Sequence, residues 1–223
     1  MKKGLLRNFL KLFSPADPEP VFSSGDYWQK RYVSGRNSGA GSYGRLAEYK
    51  AEVINKIVKD REIEKVIEFG SGDGNQASLL DIPNYTGVDV STEAVRLANE
   101  AAGQDPRKSF HVVNDSFEVV DKSYDLSMSL DVIYHLIEDN IFDAYMTDLF
   151  QASRRFVLIY ASDEDKSTKN AHVRHRRYSV WIEENASDFS QIQSWQHPFP
   201  QTEGQDPNET SFASFKLFEN SAS

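Results

Sequence analysis

Two short stretches decide the fold. The first is Val66-Ile67-Glu68-Phe69-Gly70-Ser71-Gly72-Asp73-Gly74-Asn75, and the second is Gly87-Val88-Asp89-Val90-Ser91. An apolar run enters a glycine-rich turn, a helical pattern follows, and a second apolar run ends on an acid. This order is typical of the first half of an open α/β nucleotide-binding fold, whose second strand ends on a carboxylate that binds a ribose.

The charge of the glycine-rich turn indicates which nucleotide it suits. Gly70 and Gly72 fit a dinucleotide fingerprint, but the third glycine of that fingerprint would fall at Asn75. Glu68 and Asp73 place negative charge where a pyrophosphate would lie, and like charges there are unfavourable. A cationic ligand without phosphates, such as S-adenosylmethionine, fits the turn better.

The first stretch resembles motif I of the class I S-adenosylmethionine-dependent methyltransferases, and residues 87–91 resemble their ribose-binding segment. The resemblance covers roughly residues 65–161. It implies an α/β fold with a Rossmann-like, doubly wound, seven-stranded and mainly parallel sheet, closed by an antiparallel C-terminal hairpin. It also implies S-adenosylmethionine as the cofactor. The alternative is a glycine-rich turn in another doubly wound protein.

The resemblance assigns the cofactor contacts to the carboxyl ends of the strands, where ligands bind in open α/β sheets. Glu68 is expected to orient the turn or the methionyl amino group, and Asp89 to accept hydrogen bonds from the ribose hydroxyls. Asp115 is expected to contact the adenine, with an Asx turn as the alternative. The predicted cofactor-binding residues are Glu68, Gly70, Ser71, Gly72, Gly74, Asp89, Val90, Asp115, Ser116, Leu130 and Asp131.

Residues 124–136 resemble motif IV of the same family and contain the predicted catalytic residue. They lack the Asp/Asn-Pro-Pro-Tyr/Phe pattern of amino-methylating nucleic-acid enzymes, which disfavours base methylation. Asp131 is expected to approach the methyl-donor pocket. His135 could remove a proton from an attacking hydroxyl, because an unperturbed histidine has a pKa near 6.5. A purely structural histidine is the alternative.

A basic segment at residues 172–177 interrupts an otherwise acidic chain. His172 and His175 have the spacing of metal ligands, but three neighbouring arginines oppose a cation, so no metal site is predicted. Arginine forks match carboxylates and phosphates, which favours an anion-binding patch for the methyl acceptor over a metal site, with a solvated basic loop as an equal alternative. The predicted substrate-binding residues are Tyr43, His172, Arg174, His175 and Arg176.

The chain is expected to hold one methyltransferase domain, at residues 21–223, after an N-terminal segment and linker at residues 1–20. Residues 1–13 have a basic amphipathic pattern that could lie on a membrane surface, with a docking helix or frayed terminus as the alternative. Within the domain we expect a lid and helices at 21–60, the cofactor core at 61–162, and an acceptor-side, sheet-closing segment at 163–223. Residues 27–32 are an aromatic and charged cluster, and the glycine-rich stretch at 35–44 could be a lid or an inert connection. The first strand is predicted at Lys65–Phe69, a crossover helix from Asn75 through Leu80, and a further helix capped by Ser91 that runs to about Ala102. No apolar run suits a signal peptide or a membrane span.

Composition limits the classes of function. The net charge of −9 argues against sequence-independent binding to nucleic acid. The absence of cysteine agrees with a reducing cytoplasm, with the inner membrane face as a further possible location. The stretch at residues 37–44 and the segment at residues 172–176 resemble bacterial methyltransferases of polysaccharide and small-molecule pathways. This resemblance implies O-methylation of a small anionic or glycan acceptor: a sugar, sugar nucleotide or lipid-linked saccharide. A non-catalytic cofactor-binding or partner-tethering module and a protein or RNA methyltransferase are the alternatives.

Overall fold

A seven-stranded sheet forms the centre of the protein. The computed structural model describes residues 22–113, 122–202, 204–206 and 208–222. The strands are β1 (Lys65–Phe69), β2 (Asn84–Asp89), β3 (Lys108–Val112), β4 (Tyr124–Leu130), β5 (Ser153–Ala161), β6 (Phe189–Trp195) and β7 (Ser214–Asn220). Their order across the sheet is β3-β2-β1-β4-β5-β7-β6.

The first five strands pair in parallel, and β7 pairs antiparallel with both β5 and β6. The strand order reverses between β1 and β4, so their carboxyl ends border the crevice where open α/β sheets bind ligands. The predicted fold class, including the antiparallel C-terminal hairpin, is confirmed.

Helices cover both faces of the sheet. They are α1 (Ser24–Val33), α2 (Gly44–Asp60), α3 (Asn75–Ser78), α4 (Thr92–Ala102), α5 (Asp139–Ala152) and α6 (Tyr178–Asn185), with short 3-10 turns at Ala40–Ser42 and Ile133–His135. As predicted, the Ser91 side chain caps α4 by accepting from the backbone N–H of Ala94, at 3.2 Å.

Each face of the sheet packs against its own apolar cluster. Neighbouring residues of one strand separate between the two clusters: Val66 packs with α2 and α4, whereas Ile67 packs with α5 and α6. All seven residues of β4 are buried, as expected for a central strand covered on both faces. This double burial explains why the strands appear in the sequence as continuous apolar runs.

Two helices differ from expectation. Residues 24–33 form helix α1, which the sequence analysis treated only as an aromatic and charged cluster. The crossover helix α3 ends at Ser78 instead of continuing through Leu80. Asn55 of α2 explains the early end, because its side chain donates to the Leu79 carbonyl at 3.1 Å and accepts from the Asp81 N–H at 2.9 Å.

The search for membrane-spanning helices within the described residues found none of sufficient length and apolarity. Residues 1–21 lie outside the described part, so the amphipathic segment at 1–13 and its membrane contact stay predictions.

Candidate functional site

The turn after β1 has a backbone that only glycine adopts easily. Gly70 and Gly72 have φ values of 78° and 61°. A Cβ on Gly70 would lie 2.5 Å from Cγ2 of Val132, and a Cβ on Gly72 would collide with the Ser38 hydroxyl. The absence of side chains therefore lets two other segments lie directly against the turn.

Gly74 lies directly against helix α4. It has a φ of 80°, and a Cβ there would lie 2.8 Å from the Cα of Ala98 in α4. It is not among the residues that line the cavity described below. The missing side chain allows the close packing of α4, and the predicted contact of Gly74 with the cofactor stays a prediction.

Two buried carboxylates flank this turn. Glu68, at the end of β1, accepts a hydrogen bond from the Tyr85 hydroxyl at 2.6 Å. Asp89, at the end of β2, accepts from the backbone N–H groups of Gly72 and Ser91 at 3.0 and 2.9 Å. Burial raises the pKa of Glu68 to about 7 and that of Asp89 to about 6. A ligand that is cationic or donates hydrogen bonds would therefore stabilise the ionised form of either carboxylate.

A third carboxylate, Asp131, stands at the end of β4 with a positive φ of 61°. Its Oδ2 accepts from Nζ of Lys50 at 2.7 Å, and its Oδ1 accepts from the Tyr134 hydroxyl at 2.7 Å. Lys50 is on α2, and its side chain is 1% exposed. A buried ion pair thus joins the helix before the glycine turn to the end of the fourth strand.

These groups meet at one cavity with about 1080 Å³ of empty space, its open mouth included. Of the side chains that line it, four are carboxylates and one is a lysine. The predicted site residues on its wall are Glu68, Gly70, Ser71, Gly72, Asp89, Val90, Leu130, Asp131 and His135. The cavity therefore combines an acidic wall with the crevice where the strand order reverses.

The cavity also holds buried polar atoms that suit a polar ligand. The Ser71 hydroxyl and Oε1 of Gln76 are both buried on its wall and have no hydrogen-bond partner. Unpaired buried polar atoms are costly, and a ligand with hydroxyls and amines would satisfy them. The ribose hydroxyls and the amino group of S-adenosylmethionine can donate hydrogen bonds to these oxygens, and its sulfonium carries the positive charge that the carboxylates favour. The residues present fit S-adenosylmethionine.

His135 lies on the cavity wall with one nitrogen already engaged. Its Nδ1 is 2.7 Å from the carbonyl oxygen of His172. Because a carbonyl only accepts, Nδ1 must carry the proton, which leaves the lone pair on Nε2. Burial lowers the pKa of His135 to about 4, so the ring is neutral near pH 7. His135 has the tautomer that a proton acceptor needs.

Aromatic rings surround His135 on the cavity wall. The Trp28 ring meets it edge-on with a centroid distance of 4.9 Å. His172 is stacked between Tyr27 and His135, at centroid distances of 4.9 and 5.6 Å. His172 itself does not line the cavity, but it supports the histidine that does.

The other residues of the basic segment are engaged within the protein. Arg174 and Arg176 both contact the single carboxylate of Asp139, at 3.0 and 2.5 Å. They also donate to the backbone carbonyls of residues 136 and 137. Nδ1 of His175 is 2.6 Å from the Ser162 hydroxyl. None of the three lines the cavity, and their predicted contact with an acceptor stays a prediction.

The glycine-rich loop before α2 is attached to the turn through Asp73. Oδ2 of Asp73 accepts from the backbone N–H of Ser38 at 2.9 Å and from the Tyr43 hydroxyl at 2.8 Å. Tyr43 therefore contacts the turn rather than the cavity. The loop is therefore held on the turn by Asp73, and its function as a lid stays a prediction.

Two predicted cofactor residues, Asp115 and Ser116, lie outside the described residues, so their adenine contact stays a prediction. Within the described part of the chain, no group of three or more histidines or carboxylates could hold a metal ion.

Sequence reasoning missed several residues on the cavity wall. Gln76 carried no motif, but Lys50 had a recognisable signal. It occupies the apolar face of α2 among buried residues such as Ala47 and Ile54. A lysine at such a position needs a partner inside the protein.

Comparisons with known proteins agree with this geometry. Residues 67–155 match the sequence model of a family described as a methyltransferase domain. The fold is similar to the N-methyltransferase NodS from Bradyrhizobium japonicum WM9, solved with S-adenosylhomocysteine (TM-score 0.67, 14% identity, covering 89% of this chain and 99% of that one). It is also similar to the magnesium protoporphyrin IX methyltransferase ChlM from Synechocystis PCC 6803, solved with bound S-adenosylmethionine (TM-score 0.63, 14% identity, 91% and 100%).

A third similar structure is the methyltransferase domain of bacterial CtHen1-C (TM-score 0.59, 22% identity, 79% and 99%). No curated protein matches the chain. The family match covers the glycine turn, the three carboxylates and His135, and the sheet has the strand order described above. Residues 67–155 are therefore part of a methyltransferase domain, and the fold and the cavity fit S-adenosylmethionine as the cofactor.

Proposed function

We propose that the protein methylates a hydroxyl oxygen of a small acceptor that carries an anionic group, such as an acidic sugar, a sugar nucleotide or a lipid-linked saccharide. The observation that supports this most directly is the neutral His135 at the cavity wall, with its acceptor nitrogen free of the His172 carbonyl. A hydroxyl must lose a proton as it is methylated, and this histidine offers a place for it.

Bound S-adenosylmethionine supplies an electrophilic methyl group. Nε2 of His135 takes the proton from the acceptor hydroxyl while Nδ1 keeps its bond to the His172 carbonyl, so the ring does not turn. Because burial lowers its pKa to about 4, His135 is unprotonated at neutral pH but only weakly basic. Alignment of the acceptor oxygen with the methyl group therefore supplies most of the acceleration, and proton removal adds to it.

Positive charge near the cavity wall supports an anionic acceptor. Arg31 and Arg36 lie close enough to His172 to help burial lower its pKa. Within the described residues, neither arginine forms an ion pair with a carboxylate. Arg31 also lies 5.4 Å above the ring of Trp28, which lines the cavity. A protonated amine would be repelled here, which favours a hydroxyl acceptor over an amine.

A turnover assay with matched acceptors tests this proposal. The enzyme would be incubated with labelled S-adenosylmethionine and either UDP-glucuronate or UDP-glucose, or with glucuronate or glucose, and S-adenosylhomocysteine would be measured. We expect faster turnover with the member of each pair that carries the extra carboxylate. Preference for glucose over glucuronate and over both sugar nucleotides, or preference for amines, would reject the anionic hydroxyl acceptor. Tight cofactor binding without turnover on any member of a wider panel of acidic sugars and glycolipids would favour a non-catalytic module.

A further inference from the structure

Lys50 is the one lysine or arginine among the described residues that line the cavity. It belongs to α2, ahead of the glycine turn, on a helix face that is otherwise apolar. Burying an ammonium ion costs free energy, and an ion pair that only stabilised the fold could lie at the surface without that cost. The position of Lys50 in an otherwise acidic cavity therefore indicates a role in ligand binding.

The contacts of Lys50 leave its hydrogen-bonding capacity partly unused. The ammonium group has three N–H donors, and Asp131 is its hydrogen-bond partner, at 2.7 Å. The other oxygen of Asp131 is held by Tyr134, which fixes the carboxylate and with it the ammonium. Lys50 also lowers the pKa of Glu68 against the effect of burial, so its charge reaches the end of β1.

The methionyl part of S-adenosylmethionine carries both an ammonium and a carboxylate. The acidic wall suits the ammonium and the sulfonium, but it would repel the carboxylate everywhere except near Lys50. We propose that Lys50 binds the α-carboxylate of the cofactor with the N–H groups that Asp131 does not use, while Asp131 and Tyr134 hold it in position. This inference depends on cofactor binding and is independent of the acceptor.

A pair of ligands that differ only in the carboxylate tests the assignment. S-adenosylhomocysteine and its decarboxylated form, S-adenosyl-3-thiopropylamine, would be titrated calorimetrically into the wild-type protein and the Lys50→Met variant. We expect Lys50→Met to weaken S-adenosylhomocysteine about 10- to 100-fold, the range for loss of a charge-assisted hydrogen bond. The decarboxylated ligand should bind both proteins within about twofold, because it has no group for Lys50 to hold.

Lys56→Met is the matched control. Lys56 lies on the same helix but is 71% exposed and pairs with Asp60, so its loss should change neither affinity. Equal weakening of both ligands by Lys50→Met would overturn the proposal, because it would show that Lys50 only supports the shape of the site. Unchanged affinity for both ligands, with or without a raised KM for an acceptor, would also overturn it.

A second comparison protects the test if Lys50→Met does not fold because Asp131 is left unpaired. Asp131→Asn removes the carboxylate but keeps an amide oxygen that can accept the hydrogen bond of the buried Lys50, and the double variant Asp131→Asn with Lys50→Met removes both charges. Between these two proteins, only S-adenosylhomocysteine should lose affinity. An equal loss for both ligands, or none for either, would again overturn the proposal.

Discussion

Replacing Glu68 by glutamine should make the protein more stable and a poorer binder of its cofactor. Glutamine has nearly the same shape and keeps an oxygen that can accept the 2.6 Å hydrogen bond from Tyr85. What it removes is a carboxylate that is only 2% exposed. The change therefore isolates the cost of keeping a negative charge in the cavity.

The size of this cost follows from the pKa of Glu68. Burial raises that pKa from 4.5 to about 7 in the folded protein. Since one pKa unit corresponds to 1.36 kcal/mol, the ionised carboxylate lowers the free energy of unfolding by about 3 kcal/mol. The stability of the protonated form is fully present below pH 4.5 and is lost as the pH rises through about 7. Glu68→Gln should therefore gain about 3 kcal/mol at pH 8.5 and about 1 kcal/mol or less at pH 5.

Urea denaturation of both proteins, without ligand, at several pH values between 5 and 8.5 measures this difference. Glu52→Gln is the control, because Glu52 is exposed on α2 and its replacement should change stability by about 0.5 kcal/mol or less at every pH. Calorimetry should show S-adenosylhomocysteine binding to Glu68→Gln at least about tenfold more weakly, if Glu68 holds the methionyl amino group. A stability difference that does not change with pH, or a loss of stability at pH 8.5, would refute the reasoning.

Further substitutions test the other parts of the site. Asp89→Ala should weaken S-adenosylhomocysteine by about 100-fold or more in calorimetry, through loss of the ribose contacts, and unchanged affinity would remove that role. His135→Asn should lower kcat by about 100-fold or more while cofactor affinity stays within about twofold, and full turnover would reject His135 as the base. In the wild-type enzyme, kcat should show no His135 step near pH 6.5 and should fall only toward pH 4, because burial lowers the pKa of His135; a step near 6.5 that His135→Asn removes would contradict this. Gly74→Ala should lower the free energy of unfolding by about 1 to 3 kcal/mol, since the new Cβ meets Ala98 and φ is positive, yet leave the cofactor affinity of the folded protein unchanged. Lost affinity at full stability would instead support the predicted cofactor contact of Gly74.

The sequence predicted the sheet well because its strands are buried on both faces. The first strand was predicted at Lys65–Phe69 and is found there, and the helix capped by Ser91 begins and ends as expected. Local patterns are sufficient where a segment needs only apolar partners, since any apolar neighbour satisfies them.

Helix α1 was missed because distant residues hold it in place. The Ser24 hydroxyl donates to Glu138 at 2.5 Å, and Gln29 exchanges hydrogen bonds with Thr92 at the start of α4. These pairs are separated by 114 and 63 positions, and no local pattern announces them. Residues 24–33 contain aromatic and charged side chains but no continuous apolar stripe that would predict a helix.

The same limitation applied to charged side chains. A cluster of arginines at 174–177 was visible in the sequence. Its partners come from another segment, because Arg174 and Arg176 bind the carboxylate of Asp139 and the backbone carbonyls of residues 136 and 137. Lys50 was visible on an apolar face, but its partner Asp131 is 81 positions away. Sequence patterns located the chemistry-bearing groups, and only the fold showed which of them pair with each other.

The acidic wall of the cavity has a consequence for the end of each catalytic cycle. When the methyl group leaves, the sulfonium becomes a neutral thioether, so the spent molecule has lost one positive charge. Glu68, Asp89 and Asp131 then attract it less strongly than they attracted the donor. The acidic wall therefore favours binding of S-adenosylmethionine over binding of S-adenosylhomocysteine. This preference weakens inhibition by the product and favours its replacement by a new donor molecule.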